Sequence, residues 1–250
     1  VAIVVWLLVG NLRNEEEKLS VSLSELQRLQ EKLVVEEKLA AVGQLSSAIA
    51  HEIRNPVTMI ASSLKMAEKH EPGSPIRLEM FNIATEEAKR LESLTTDFLA
   101  FAKTKEPDLK EVPVIETLEY VASLAKAHLI EKGLMIQVKC DPALSFVMDT
   151  GIIQQALLNL LTNAINAAAR GGEITIGAET IDGNSVLYLE NEGQPVPNDL
   201  KERIFEPFFT DGAKGTGLGL PIVRNIARAH GGDVFLAGNE DGKVRFAIRF

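Results

Sequence analysis

Residues 43–60 read GQLSSAIAHEIRNPVTMI. Apolar residues recur at Leu45, Ile49, Ile53, Val57, Ile60 and Leu64, the three- and four-residue spacing of an amphipathic helix. His51 stands two residues from both Ile49 and Ile53, which is about 200° of helical rotation. The imidazole is therefore expected to face solvent, away from the apolar seam. Glu52 adjoins it, and Asn55 lies one turn on, near the same face. Pro56 removes a backbone donor and is expected to bend the helix. Imidazole is a nucleophile, and a neighbouring carboxylate can take the proton from its other nitrogen. Taken alone, His51 reads more readily as a solvated surface histidine.

Toward the N-terminus, Leu12, Leu19, Leu26, Leu33 and Ala40 fall seven apart in a segment rich in Glu, Lys and Gln. Residues 13–39 therefore read as a heptad helix, a parallel two-stranded coiled coil that runs into the His51 helix. Residues 1–12, VAIVVWLLVGNL, are strongly apolar and are followed by Arg13. A membrane span needs roughly 20 apolar residues, so this segment reads as the end of a truncated span and implies a membrane tether. A buried element of another domain is the alternative.

Toward the C-terminus, residues 69–75, KHEPGSP, form a turn. Helical spacing resumes over 76–102 at Ile76, Met80, Ile83, Ala84, Ala88, Leu91, Leu94, Phe98 and Phe101. Two helices joined by a short turn make an antiparallel hairpin. One apolar stripe per helix builds little core, so two hairpins are expected to pair as a homodimeric four-helix bundle. This places a helical hairpin at 40–102, and the polar stretch 103–112 reads as an interdomain linker.

Beyond the linker, 113–132 read as helix, 134–140 as strand, 149–170 as helix, and 173–181 and 185–191 as strands around Asp182-Gly183-Asn184. A short helix is expected near 200–205, then a helix over 218–230 and two closing strands at 233–237 and 244–250. Helices and mixed strands segregated in this way indicate a two-layer α/β sandwich over 113–250.

Formal net charge is −9 without a long basic run, which argues against a nucleic-acid partner. Cys140 is the only cysteine, so no intrachain disulfide or thiolate metal cluster exists, and a reducing, cytoplasmic setting fits. No second histidine or cysteine lies at ligand spacing from His51.

Four pieces of the second half carry chemistry. In QQALLNLLTNAINAA, Asn159, Asn163 and Asn166 form an amide stripe on an otherwise apolar helix. Such amides are costly to bury unless something binds them, and their oxygens are hard ligands suited to Mg²⁺. A stripe facing water is the plain alternative. In ENEGQPVP, Asn191 ends a strand and Gly193 permits close backbone approach to a flat ligand. In RIFEPFFT, Phe205, Phe208 and Phe209 either anchor a loop or cap a core. In KGTGLGLPIV, Gly215, Gly217 and Gly219 precede a helix with Pro221 in its first turn. Glycine-rich backbone at a helix start offers N–H groups to phosphate, and Lys214 adds charge. This is neither a Walker sequence nor GxGxxG.

In order and spacing, these pieces resemble the N, G1, F and G2 boxes of the GHKL ATPases, whose nucleotide site is the Bergerat fold. With HEIRNP on an upstream hairpin, residues 39–250 resemble a bacterial sensor histidine kinase. The resemblance implies that His51 accepts the γ-phosphoryl group of ATP and that Glu52 handles the proton on its other nitrogen. It implies that Asn55 places water for dephosphorylating a response regulator, that Asn163 binds Mg²⁺, and that Asn159 and Asn166 flank the phosphates. Asn191 and Gly193 would meet adenine. Gly215, Thr216, Gly217, Leu218 and Gly219 would contact the triphosphate beside Lys214. The partner would be the receiver domain of a response regulator, and a domain swinging on 103–112 would carry the nucleotide to His51.

Two positions depart from the family pattern. Asn191 stands where the family usually has Asp, and Pro195 stands at its second G1 glycine. An amide oxygen also accepts from an adenine amino group. The segment 210–215 is short and holds few phosphate ligands besides Lys214. The competing readings are a GHKL ATPase of the clamp or scaffold type, and a degenerate or phosphatase-dominant kinase.

Overall fold

The computed structural model describes residues 49–102, 106–210, 215–240 and 242–250. The expected apolar end (1–12), the coiled coil (13–39), Leu45 and Lys214 lie outside the described residues. Among those described, no helix is long and apolar enough to cross a membrane. The chain divides into two units by contact, residues 1–54 and 55–250.

In the first unit, residues 49–54 are helical. This helix, α1, is assigned over 49–67 and includes Pro56. In the second unit, its residues 55–67 bury Pro56, Ser63 and Ala67. The expected apolar seam is largely exposed in the single chain: Ile53 is 37%, Val57 47% and Leu64 41% exposed. A seam of this kind is left for a second hairpin to cover. Helix α2 spans Pro75–Ala102. Pro75 suits the first helical turn because its missing N–H would be unsatisfied there anyway. Arg77 donates to the His70 carbonyl at 3.1 Å across the turn.

The remainder is a five-stranded mixed sheet under helices. Strands β2 (Met135–Lys139), β4 (Glu173–Ile181), β5 (Asn184–Glu192), β6 (Asp233–Glu240) and β7 (Lys243–Arg249) lie in the order β2-β4-β5-β7-β6. Only β2–β4 is parallel. Side chains alternate across the pleat. Ile174, Ile176, Leu187, Leu189 and Ile248 join the main core with helices α3 (Val114–Leu124), α5 (Thr150–Ala167) and α6 (Gly219–Ala229). Val186, Tyr188 and Ala247 form a small cluster of their own. The two-layer α/β sandwich is as expected.

Several details correct the sequence reading. Residues 110–112, expected as linker, belong to strand β1 (Lys110–Pro113), which pairs antiparallel with β3 (Ser145–Met148). At four residues each, neither strand shows enough alternation to be recognised. The helix expected over 113–132 is two, broken at Ala125: α3, then α4 (Lys126–Lys132). The buried stripe Val114, Leu118, Val121, Ala125, Leu129 runs straight through the break, which hides it from periodicity. The short helix near 200–205 is a 3₁₀ turn, Arg203–Phe205.

Candidate functional site

The site is built on α5. Asp149 caps its start, accepting from the Ile152 N–H at 3.1 Å. The Asp149 backbone N–H donates to Nε2 of His230 at 3.1 Å, and His230 Nδ1 lies 2.8 Å from the Ile226 carbonyl. A ring that accepts at Nε2 and donates at Nδ1 is the neutral tautomer. His230 thereby ties the end of α6 to the start of α5.

Along α5, Leu157, Leu160, Leu161 and Ala164 enter the core. Asn159 and Asn163 are half-buried and Asn166 is exposed. Nδ2 of Asn159 is buried without a hydrogen-bond partner among the described residues. An orphaned buried donor of this kind costs about 1–3 kcal/mol and fits a site completed by a ligand. Oδ1 of Asn166 accepts from Lys132 Nζ at 3.1 Å, and the same ammonium donates to the Ile165 carbonyl at 2.8 Å. Lys132 was not singled out in the sequence. It places a cation at the C-terminal end of α5, where the helix dipole favours one.

The glycine-rich segment meets this stripe. Gly219 opens α6, and a Cβ there would lie 3.7 Å from both Nδ2 and Oδ1 of Asn163. Gly217 has φ +66°, and its carbonyl accepts from the Phe208 N–H at 2.9 Å. Phe208 itself has φ +63°. Phe205 is buried, edge-on to Phe246 at 6.2 Å between centroids. The aromatic segment thus serves both purposes considered: Phe205 belongs to the core, and the backbone at Phe208 holds Gly217. Leu218 is fully buried, so its side chain is core, and only its backbone N–H, 3.4 Å from Thr216 Oγ1, is suited to a ligand. Gly215 is exposed and Thr216 half-buried. Thr216 Oγ1 donates to Oδ2 of Asp97, on α2, at 2.8 Å. Burial pushes the Asp97 carboxyl above its ordinary value, and the Thr216 hydrogen bond partly offsets this.

At the strand end, Asn191 is buried and its Nδ2 donates to the Glu192 carbonyl at 3.3 Å. That bond fixes the amide's orientation and leaves Oδ1 in the acceptor role. A Cβ at Gly193 would stand 3.0 Å from the Ala167 carbonyl oxygen, so only glycine brings β5 this close to the end of α5. Beyond it, Asn239 holds the Val196 backbone in two bonds of 2.7 Å, to N–H and carbonyl, and so fixes the loop that follows Pro195.

The structure therefore brings Asn163 beside Gly219 at the start of α6, with Asn159 one turn earlier on α5. On α1, His51 and Asn55 are exposed and Glu52 is half-buried. Among the described residues, no group of three His, Cys, Asp or Glu could hold a metal. A divalent ion here would take an amide oxygen from Asn163 and find its other ligands on phosphate and water, as Mg²⁺ commonly does.

A sandwich with an amide stripe facing a glycine-rich helix start is the nucleotide-binding class to which residues 148–250 match, described as histidine kinase-, DNA gyrase B- and HSP90-like ATPase. Residues 41–107 match the His Kinase A phospho-acceptor domain. The chain belongs to the bacterial sensor histidine kinases. It is similar to the sensor histidine kinase ZraS of Escherichia coli (strain K12), at 30% identity over 223 residues, 89% of this chain and 48% of that protein. It is also similar to the histidine kinase ThkA solved in complex with response regulator protein TrrA, with TM-score 0.77 and 30% identity over 90% of this chain and 66% of that one. The isolated ThkA catalytic domain is 32% identical, with TM-score 0.54, over 57% of this chain and 95% of that one. The chain spans about half the length of the ZraS relatives it matches.

Proposed function

We propose that the chain is an ATP-dependent protein-histidine kinase of a two-component system. One observation carries the nucleotide half of this reading: Asn163 beside Gly219, with the orphaned Nδ2 of Asn159 one turn away on the same helix. Asn163 would supply a hard oxygen to Mg²⁺, and that ion, when bound, neutralises phosphate charge. The N–H groups of the 215–219 segment would hold the triphosphate, and Asn191 Oδ1 would accept from the adenine amino group.

The exposed imidazole of His51 would attack the γ-phosphorus, with the bond to the bridging oxygen breaking and ADP leaving. Glu52 would take up the proton released from the ring. The phosphoramidate so formed is labile and suits transfer to an aspartate of a separate receiver domain. The complex of ThkA with a response regulator supports that choice of partner. Asn55, exposed one turn from His51, would place water for the reverse, dephosphorylating activity. The exposed Ile53, Val57, Leu64 and Phe81 support a homodimeric four-helix bundle, because such side chains call for cover. Any hinge lies before Lys110, where β1 begins. Anchoring to the bacterial inner membrane through residues 1–12 remains part of the proposal.

The nucleotide half is tested by calorimetric titration with ATP and Mg²⁺. The native chain is expected to bind, and Asn163→Ala to lose most of its affinity. Equal binding by both would remove Asn163 from the site.

A further inference from the structure

The segment assigned to the triphosphate is held by a carboxylate from another element. Thr216 and Asp97 are 119 residues apart and joined by a 2.8 Å hydrogen bond. The contact has apolar support. Leu94, one turn before Asp97 on α2, is 5% exposed and belongs to the same core as α5 and α6, and Phe98 and Phe101 pack against that core. Asp97 therefore sits on the face that α2 turns toward the catalytic core.

A hydroxyl has one proton and donates to one acceptor at a time. A carboxylate oxygen on Thr216 Oγ1 takes the place a phosphate oxygen would need. It also brings negative charge to a segment meant to receive a polyanion. We propose that Asp97 is an internal competitor of the nucleotide triphosphate, engaging Thr216 when no nucleotide is bound and releasing it on binding. This rests on the reading of Thr216 as a triphosphate contact. Nucleotide occupancy and the grip of α2 on the segment 215–218 are then coupled, and each weakens the other.

The test is calorimetric titration of a non-hydrolysable ATP analogue with Mg²⁺ into the native chain and the variants Asp97→Ala, Asp97→Asn, Thr216→Val, Asp97→Ala/Thr216→Val and Asn163→Ala. Loss of one competing charge-assisted hydrogen bond at a half-exposed site is expected to tighten binding about fivefold in Asp97→Ala. Asp97→Asn, which keeps an acceptor oxygen of the same shape, should show a smaller gain in the same direction. In the Thr216→Val background the gain from Asp97→Ala should be largely lost. Binding that is unchanged or weaker in Asp97→Ala, with Asn163→Ala still defective, overturns the competition and leaves the nucleotide site standing. Should Asp97→Ala fail to fold, unchanged affinity in Asp97→Asn overturns it equally. If no form binds, native included, both the competition and the reading of the site fall.

Discussion

Replacing Gly217 with alanine should damage the site by an amount that its neighbours set. The residue has φ +66°, where a Cβ costs about 1–2 kcal/mol. That Cβ would also stand 2.5 Å from the Phe208 carbonyl carbon, 2.6 Å from its Cα and 2.9 Å from the Phe209 nitrogen. These are backbone atoms and cannot swing aside. Relief requires the two segments to part, with loss of the 2.9 Å bond from Phe208 N–H to the Gly217 carbonyl, about 1 kcal/mol net. Together the two effects come to about 2–3 kcal/mol. Gly215 is the control: among the described residues a Cβ there meets Thr210 Oγ1 at 3.5 Å and the Gly217 nitrogen at 3.9 Å, both ordinary contacts, so Gly215→Ala should change stability by less than about 0.5 kcal/mol. Urea unfolding of both variants measures the difference, and nucleotide titration reads the site itself. Gly217→Ala is expected to lower both stability and nucleotide affinity. Equal midpoints for the two variants would refute the reasoning, because it makes the Phe208 backbone the cause.

Asn159→Leu removes the orphaned buried donor. It should raise unfolding stability by about 1 kcal/mol while abolishing nucleotide binding, a divergence that denaturation and titration together would show. Asp97 gives a pH signature. Its carboxyl lies above the ordinary 3.8 in the folded chain because of burial, so the charged form is disfavoured by folding. The resulting cost is absent below 3.8, sets in as pH rises through the raised value and is full above it. Asp97→Asn should therefore gain stability over the native chain as pH rises from below 3.8 and then plateau, as followed by urea midpoints at several pH values. A constant difference across that range would contradict the assignment.

The amide stripe of α5 was legible because polar side chains at helical spacing among leucines carry a visible cost, and the alternating glycines before Pro221 mark a helix start. The sheet was legible where strands ran long enough to alternate, as β4 and β5 do around Asp182-Gly183. Short pieces were not: β1 and β3 have four residues each, and the break at Ala125 lies beneath an unbroken apolar stripe. Within the hairpin the period marks the apolar seam Ile53, Val57, Leu64, which is exposed in the single chain, while the buried positions Pro56, Ser63 and Ala67 include a proline and a serine that hydropathy does not single out. Contacts between distant residues left no local trace. Asp97 with Thr216, Lys132 with Asn166 and Asn239 with Val196 are 119, 34 and 43 residues apart, and no periodicity encodes such pairs. Leu218 shows a further limit, because a motif position says nothing of whether side chain or backbone faces the ligand.

The most direct measurement is incubation of the chain and of His51→Gln with γ-labelled ATP and Mg²⁺, followed by acid and base treatment of the labelled protein. The account predicts label on the native chain alone, lost in acid and kept in base, as a histidine phosphoramidate requires. Label that persists on His51→Gln, or that survives acid, would contradict it.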